Sequence, residues 1–79
     1  MGMQIKINAV NQAEAGTRIW SRGEAVNCIC MILKGKAVAR AKGVSLSMGA
    51  GSFPGISDFY AGQYQCDYEA VENVTFFAF

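Results

Sequence analysis

The sequence predicts one mainly all-β domain over residues 1–79, an antiparallel β-roll of the jelly-roll (double-stranded β-helix) type with one short helical turn. Short apolar or alternating segments are separated by turn signals about every 8 to 12 residues, as in rolls and sandwiches. No segment shows the long amphipathic period of a surface helix. A hydrophobic content of 52% in 79 residues indicates a packed core.

The N-terminal part of the chain predicts two strands. Residues 3–9 alternate apolar and polar side chains, which is typical of a half-buried strand. The polar residues 11–16 are expected to form a connector. Residues 17–20 predict a short strand, which a turn at 21–24 closes.

The middle of the chain predicts a hairpin and a further strand. Residues 27–33 are nearly all apolar and predict a buried strand. A tight turn is expected at 34–36, where Gly35 can supply a positive φ, with the chain returning over 37–41. Gly43 then interrupts the pattern before residues 44–48, which alternate cleanly.

The last third combines a glycine-rich bend with two more strands. Residues 49–55 hold three glycines, together with alanine, serine, phenylalanine and the single proline. We expect one helical turn over 56–61, ended by glycine, because a serine and an aspartate lie near its start. Strands are predicted over 66–71 and 74–79, joined at 72–73.

The end of the chain is unusually apolar. Residues 75–79 place apolar side chains on both faces of the last strand, whereas chain ends are usually polar. We expect either a truncation point or a surface that a partner covers.

Three glycines and two short motifs carry a resemblance. Gly23, Gly35 and Gly55 precede or join short strands, residues 51–55 read Gly-Ser-Phe-Pro-Gly, and residues 70–74 read Ala-Val-Glu-Asn-Val. This pattern resembles the β-roll of cyclic-nucleotide-binding domains, the sensor module of CRP/FNR-type regulators and kinase regulatory subunits. The resemblance implies a small-molecule effector whose binding shifts a short helix and a C-terminal helix.

The residues that hold the nucleotide in that family are missing. The family uses a glutamate just after the last glycine and, further along, an arginine for the cyclic phosphate. Here Ile56 and Ser57 occupy the glutamate region, and no arginine or lysine follows Lys42. Because the phosphate loses its bidentate guanidinium partner, we predict no physiological binding of cAMP or cGMP.

A changed ligand and an empty site are both compatible with this sequence. The backbone N–H groups of a helical turn and two glutamine amides suit a neutral polar ligand. The alternative is a pocket filled by its own side chains, Tyr64 or Phe59. The candidate ligand-binding residues are Gly55, Ile56, Ser57, Gln63, Tyr64 and Gln65.

Cysteine and histidine content argues against metal and catalytic sites. Cys28 and Cys30 share one face of a strand, so they form either a redox or metal pair with Cys66 or, as we expect, small core residues. Histidine is absent, which removes the commonest metal ligand and general base. We therefore predict no enzyme, no metal and no cofactor.

Charge is distributed unevenly along the chain. All seven basic residues precede Gly43, and four of the six acidic residues follow it. This asymmetry either polarises the surface or, as we expect, pairs early and late strands through opposite charges. It forms no dense basic stripe, so we expect no direct binding of nucleic acid. The aromatic residues Trp20, Tyr60, Tyr64 and Tyr68 are expected in the core or in cross-strand pairs rather than stacked on bases.

The function predicted from the sequence is regulatory ligand sensing without cAMP or cGMP. The alternative is a structural domain that forms a homo-oligomer through an exposed C-terminal strand with Phe76, Phe77 and Phe79. No run of about 18 apolar residues and no hydrophobic leader is present, so we expect a cytoplasmic protein without a membrane partner.

Overall fold

The structure, a computed structural model, describes residues 3–79 as two antiparallel sheets. The elements are β1 (Ala9–Ala13), β2 (Arg18–Trp20), β3 (Cys30–Lys34), β4 (Ala37–Ala41), β5 (Val44–Met48), a 3-10 helix (Ser57–Tyr60), β6 (Asp67–Ala70) and β7 (Val74–Ala78). One sheet has the strand order β1-β7-β3, and the other has the order β2-β6-β4-β5. This architecture confirms the predicted antiparallel β-roll with one short helical turn.

Aromatic rings join the two sheets. Trp20 of β2 lies with its ring centroid 5.8 Å from that of Phe76 on β7, in the opposite sheet. Tyr64 stacks on Trp20 at 5.1 Å, and Tyr68 meets Trp20 edge-on at 5.6 Å. Burial of each ring stabilises the fold by roughly 1.5–3 kcal/mol, and the pair geometry adds to this. Three of the four aromatics considered for base stacking are therefore core residues, as expected, and Tyr60 is exposed.

The C-terminal strand is the centre of its sheet. Strand β7 pairs with β1 on one side and with β3 on the other. Phe76 is 1% exposed, because its ring belongs to the core. The expectation of an exposed strand that pairs with a second copy is therefore wrong: both hydrogen-bonding edges of β7 are already occupied.

The first strand lies later than the sequence predicts. Residues 3–6 lie outside any strand, and β1 occupies part of the predicted connector. The buried Asn11 side chain accepts a hydrogen bond from the Lys6 N–H (2.8 Å) and donates to the Lys6 carbonyl (2.9 Å). The N-terminal segment is thus held by a side chain instead of a neighbouring strand, although Met3 and Ile5 still pack against the core.

The predicted hairpin at 34–36 is also wrong. Strand β3 ends in one sheet and β4 begins in the other, so Gly35 marks a crossing between sheets. Gly35 does have the predicted positive φ of 93°, and a Cβ there would collide with the Asn73 carbonyl oxygen. The tight hairpin joins β4 to β5 instead, through Lys42 and Gly43 at φ values of 49° and 78°.

Two ion pairs connect acidic residues of β6 to basic residues of the neighbouring strands. Arg40 of β4 donates to Glu69 at 2.8 Å, and Arg18 of β2 lies 3.5 Å from Asp67. Each pair joins a basic residue of the first half to an acidic residue of the second. This confirms that the uneven charge distribution reflects cross-strand complementarity.

The predicted helical turn over 56–61 is present as the 3-10 helix Ser57–Tyr60. Gly62 follows at a φ of 82°, which fits its predicted role in ending the turn. Nowhere in residues 3–79 is a helix long and apolar enough to cross a membrane.

Candidate functional site

Alternating residue sizes on β4 and β5 create an open groove. Ala39 faces Leu46 and Ala41 faces Val44 across the antiparallel pair. Because alanine is small, the inner face of β4 leaves a depression beside the larger side chains of the edge strand β5. The groove has a volume of about 400 Å³, which lies within the range of small-molecule sites.

The glycine-rich bend supplies the opposite wall. Gly51 donates its N–H to the Ile32 carbonyl (2.8 Å), and the Ile32 N–H donates to the Ser52 carbonyl (2.9 Å), so the bend is fixed to β3. Phe53, Ile56 and their neighbours then face β5. The residues lining the groove are Ala39, Ala41, Val44, Leu46, Met48, Phe53, Gly55, Ile56, Ser57, Asp58, Cys66 and Tyr68.

One buried carboxylate lies in this apolar lining. Asp58, in the 3-10 helix, is 5% exposed and accepts a hydrogen bond of 2.6 Å from the Tyr68 hydroxyl. Burial first, and then the hydrogen bond and charge of Asp58, raise the pKa of Tyr68 above its usual value. The Tyr68 hydroxyl therefore stays protonated and donates to Asp58 across the neutral pH range.

No residue in the described lining of the groove is basic. Arg40 lies on the same strand as Ala39 and Ala41, but its side chain projects from the other face and pairs with Glu69. An anionic ligand would therefore meet a carboxylate and no cation.

The structure separates the predicted ligand-binding residues into two groups. Gly55, Ile56 and Ser57 line the groove. The Ile56 N–H, however, donates to the Phe53 carbonyl at 3.2 Å, so the expectation that this N–H is free for a ligand is wrong. The first group therefore forms part of the groove wall, and the Ile56 N–H is not a free donor for a ligand.

The second group, Gln63, Tyr64 and Gln65, lies outside the groove. Tyr64 is 2% exposed and packs in the aromatic core, where burial raises the pKa of its hydroxyl. Gln63 forms a bridge with Ala25, and the Gln65 amide donates to the Gln63 carbonyl at 3.1 Å. The 63–65 segment turns inwards to fill the core with Tyr64, which leaves its two glutamines exposed.

Sequence analysis missed most of the groove. Val44, Leu46 and Met48 were recognised as an alternating strand, but the polarity pattern alone does not show that their face is left open at the sheet edge. Val44 and Leu46 are 68% and 64% exposed, unlike residues of a closed core. The sequence places Asp58 near the start of the helical turn, but its burial becomes visible only in the structure.

The cysteines do not form a three-residue site. Cys28 and Cys30 are buried with their sulfur atoms 3.7 Å apart, and burial followed by the charge of Cys28 raises the pKa of Cys30. Cys66 lies in the groove instead. All three are free thiols, and residues 3–79 contain no group of three or more His, Cys, Asp or Glu that could hold a metal.

Comparisons with known proteins rest on structure. No protein-family profile and no curated protein sequence matches this chain. The EAL enzyme Bd1971 in its half-site-occupied form superposes with a TM-score of 0.77 at 18% identity, over 90% of this chain and 69% of that one. A PKA regulatory domain with Sp-2Cl-cAMPS bound gives 0.74 at 16%, over 87% and 50%. The catabolite activator protein of Thermus thermophilus gives 0.73 at 18%, over 89% and 36%.

These neighbours contain cyclic-nucleotide-binding domains. The chain has the fold of a cyclic-nucleotide-binding domain. The comparison confirms the resemblance seen in the glycines, and identities of this size concern the fold alone. The chain covers half or less of the length of two of these three proteins. The activities of those whole proteins therefore cannot be assigned to this chain.

Proposed function

We propose that this chain is the ligand-sensing domain of a regulatory or signalling protein, and that its ligand is a small molecule other than cAMP or cGMP. One observation carries the proposal: the groove beside Gly55 is open, apolar and without a basic residue in its described lining. The fold supports a sensing role, because its structural neighbours are regulatory domains that bind cyclic nucleotides.

Exclusion of cyclic nucleotides follows from charge. A cyclic phosphate carries a negative charge, and its transfer into an apolar groove is unfavourable without a paired cation. Structures of the neighbour Bd1971 have been solved with cAMP and with cGMP bound. This chain keeps the fold while placing Asp58 in the groove, so its ligand differs in charge.

A structural role without a ligand is the alternative. Such a role requires a surface that binds a second copy. The sequence indicated the edge of the C-terminal strand, but β7 lies inside its sheet and has no free edge. The groove also stays open, although the sequence offered Tyr64 or Phe59 to fill it: Tyr64 is in the core and Phe59 is 48% exposed. These positions favour sensing over a purely structural role.

The test is a titration followed by two-dimensional ¹H–¹⁵N NMR. We expect cAMP and cGMP at millimolar concentration to leave the signals of 44–48 and 55–58 unshifted, and at least one member of a panel of uncharged or cationic metabolites to move them. Leu46→Lys should abolish that response, because it removes apolar surface from the groove wall and adds a positive charge that repels a cation. Ser47→Lys, one residue away on the opposite face of β5, is the matched control and should bind normally.

Two results contradict the proposal. Binding of a cyclic nucleotide in the micromolar range overturns the exclusion. A metabolite panel without any groove response favours the structural alternative, particularly if the chain self-associates.

A further inference from the structure

Asp58 is one of two polar or charged residues buried within residues 3–79, and the two differ in how they are satisfied. The Asn11 side chain accepts one hydrogen bond and donates two, which accounts for its burial. Asp58 accepts a single side-chain hydrogen bond, through Oδ2 from Tyr68. A carboxylate with one bond is poorly compensated for its loss of water.

The second oxygen of Asp58 is available to a ligand. Oδ1 has no hydrogen-bond partner within residues 3–79, yet no wholly enclosed side-chain polar atom in this part of the chain lacks one. Oδ1 therefore retains access, and Asp58 lines the groove. The groove thus has an acceptor with unused capacity at one end of an apolar surface.

The nearby basic side chains do not pair with Asp58 Oδ1. Arg40 and Arg18 pair with Glu69 and Asp67 on the outer face of the sheet. Arg22 and Lys42 line a separate depression at the outer side of the β4–β5 hairpin. The groove consequently combines apolar walls with an acceptor that pairs with no basic side chain of residues 3–79.

We propose that the ligand of this groove is an apolar molecule carrying an amine or an equivalent hydrogen-bond donor, which Asp58 binds through Oδ1. This inference rests on the proposed function, because it specifies the ligand class of the same site. Leu46, Phe53 and Ile56 contact the apolar body. Tyr68 is a positioning residue, since its hydroxyl fixes the carboxylate through Oδ2.

Three probes of similar size and shape distinguish the effect of ligand charge on affinity from the effect of apolar contact. We would titrate the unmodified chain with 2-phenylethylamine, 2-phenylethanol and phenylacetate, and follow groove signals by NMR. We expect the amine to bind about three- to tenfold more tightly than the alcohol, as for a partly exposed charged hydrogen bond, and phenylacetate to bind most weakly.

Two isosteric variants then locate the effect. Asp58→Asn should bring the amine and the alcohol to equal affinity, because the amide keeps the shape and the Tyr68 hydrogen bond but loses the charge. Asp67→Asn removes the same charge from the outer face and should keep the preference. If Asp58→Asn does not fold, the order of the three probes on the unmodified chain still decides.

The outcomes distinguish this inference from the proposed function. Equal binding of all three probes in the groove, or tightest binding of phenylacetate, overturns the amine assignment and leaves ligand sensing intact. An amine preference that survives Asp58→Asn also overturns it. If no probe and no metabolite of the panel moves the groove signals, both proposals fail.

Discussion

The ring of Tyr64 packs against the Cα of Gly55, so closely that a Cβ built on Gly55 would lie 2.5 Å from Tyr64 Cε1. Gly55 has a φ of 79°, and Tyr64 is held from its other side by Trp20. This contact connects the last glycine of the groove to the aromatic core. It explains why the wall of the groove depends on a residue that does not itself line it.

Gly55→Ala should therefore destabilise the protein through two effects. The positive φ costs about 1–2 kcal/mol for a residue with a Cβ, and the collision with Tyr64 adds about 1–3 kcal/mol. Gly51→Ala is the matched control, because Gly51 has a φ of 88° and open space around its Cβ position. Urea unfolding of both variants measures the difference. Equal losses would show that Tyr64 moves aside freely.

Asn73 holds the connection between β6 and β7 to the first part of the chain. Its Oδ1 accepts a hydrogen bond from the Ala15 N–H at 2.9 Å. Asn73→Ala should cost about 0.5–1.5 kcal/mol in the free energy of unfolding. Asn73→Asp keeps an acceptor at the same place, so it should be close to neutral. A loss of the same size in both variants would contradict a role for this hydrogen bond.

Stability should fall at alkaline pH. Burial raises the pKa of Tyr64, Tyr68 and Cys30 in the folded state, so these groups lose their protons first in the unfolded state. Above about pH 9 to 10 the folded state binds more protons than the unfolded one, and each group lowers the unfolding free energy by about 1.4 kcal/mol per pH unit. Below that range their contribution is fully present.

Tyr68→Phe tests this pH dependence. The variant should be less stable at neutral pH, since Asp58 loses its hydrogen bond, but should show a shallower decline above pH 10. Tyr60→Phe is the control, because it makes the same substitution at a tyrosine that is 94% exposed. Thermal unfolding across the alkaline range provides the measurement, and parallel slopes in the unmodified chain and Tyr68→Phe would contradict the assignment.

The Arg40–Glu69 pair should contribute little despite its 2.8 Å distance. The two side chains are 52% and 28% exposed, so water screens much of their attraction. A double-mutant cycle with Arg40→Gln and Glu69→Gln should give a coupling of about 0.2–1 kcal/mol, smaller at high salt. A salt-independent coupling well above this range would mean that the pair is more enclosed than its exposure indicates.

Local pattern predicted much of the fold, and tertiary pairing determined the rest. The alternation of residues 44–48 predicted β5, and the glycine-rich bend before Ser57 predicted the short helical turn, whereas the hairpin expected at Gly35 was wrong. Strand β1 was missed because its sequence, Ala-Val-Asn-Gln-Ala, has little intrinsic strand preference, and its pairing with β7 overrides that. The hairpin lies at Gly43 and not at Gly35 because β4 pairs with β5 in one sheet, whereas β3 belongs to the other sheet.

Tertiary pairing also determines which of the proposed ligand-binding residues line the groove. Gly55, Ile56 and Ser57 follow directly from the glycine spacing. Gln63 and Gln65 do not reach the groove, because the direction of that segment is set by Tyr64 packing on Trp20, which no local pattern shows. The floor of the groove depends on alanines of β4 facing larger residues of β5, and this requires the strand register.

The interior position of β7 has a consequence for synthesis on the ribosome. Strands β1 and β3 leave the exit tunnel before their shared neighbour β7, and neither has its strand partner until residues 74–78 follow. This sheet therefore cannot form until the last residues of β7 have been synthesised. Closure is a late step that brings distant segments together, which slows folding and leaves open edges exposed to other nascent chains in the interval.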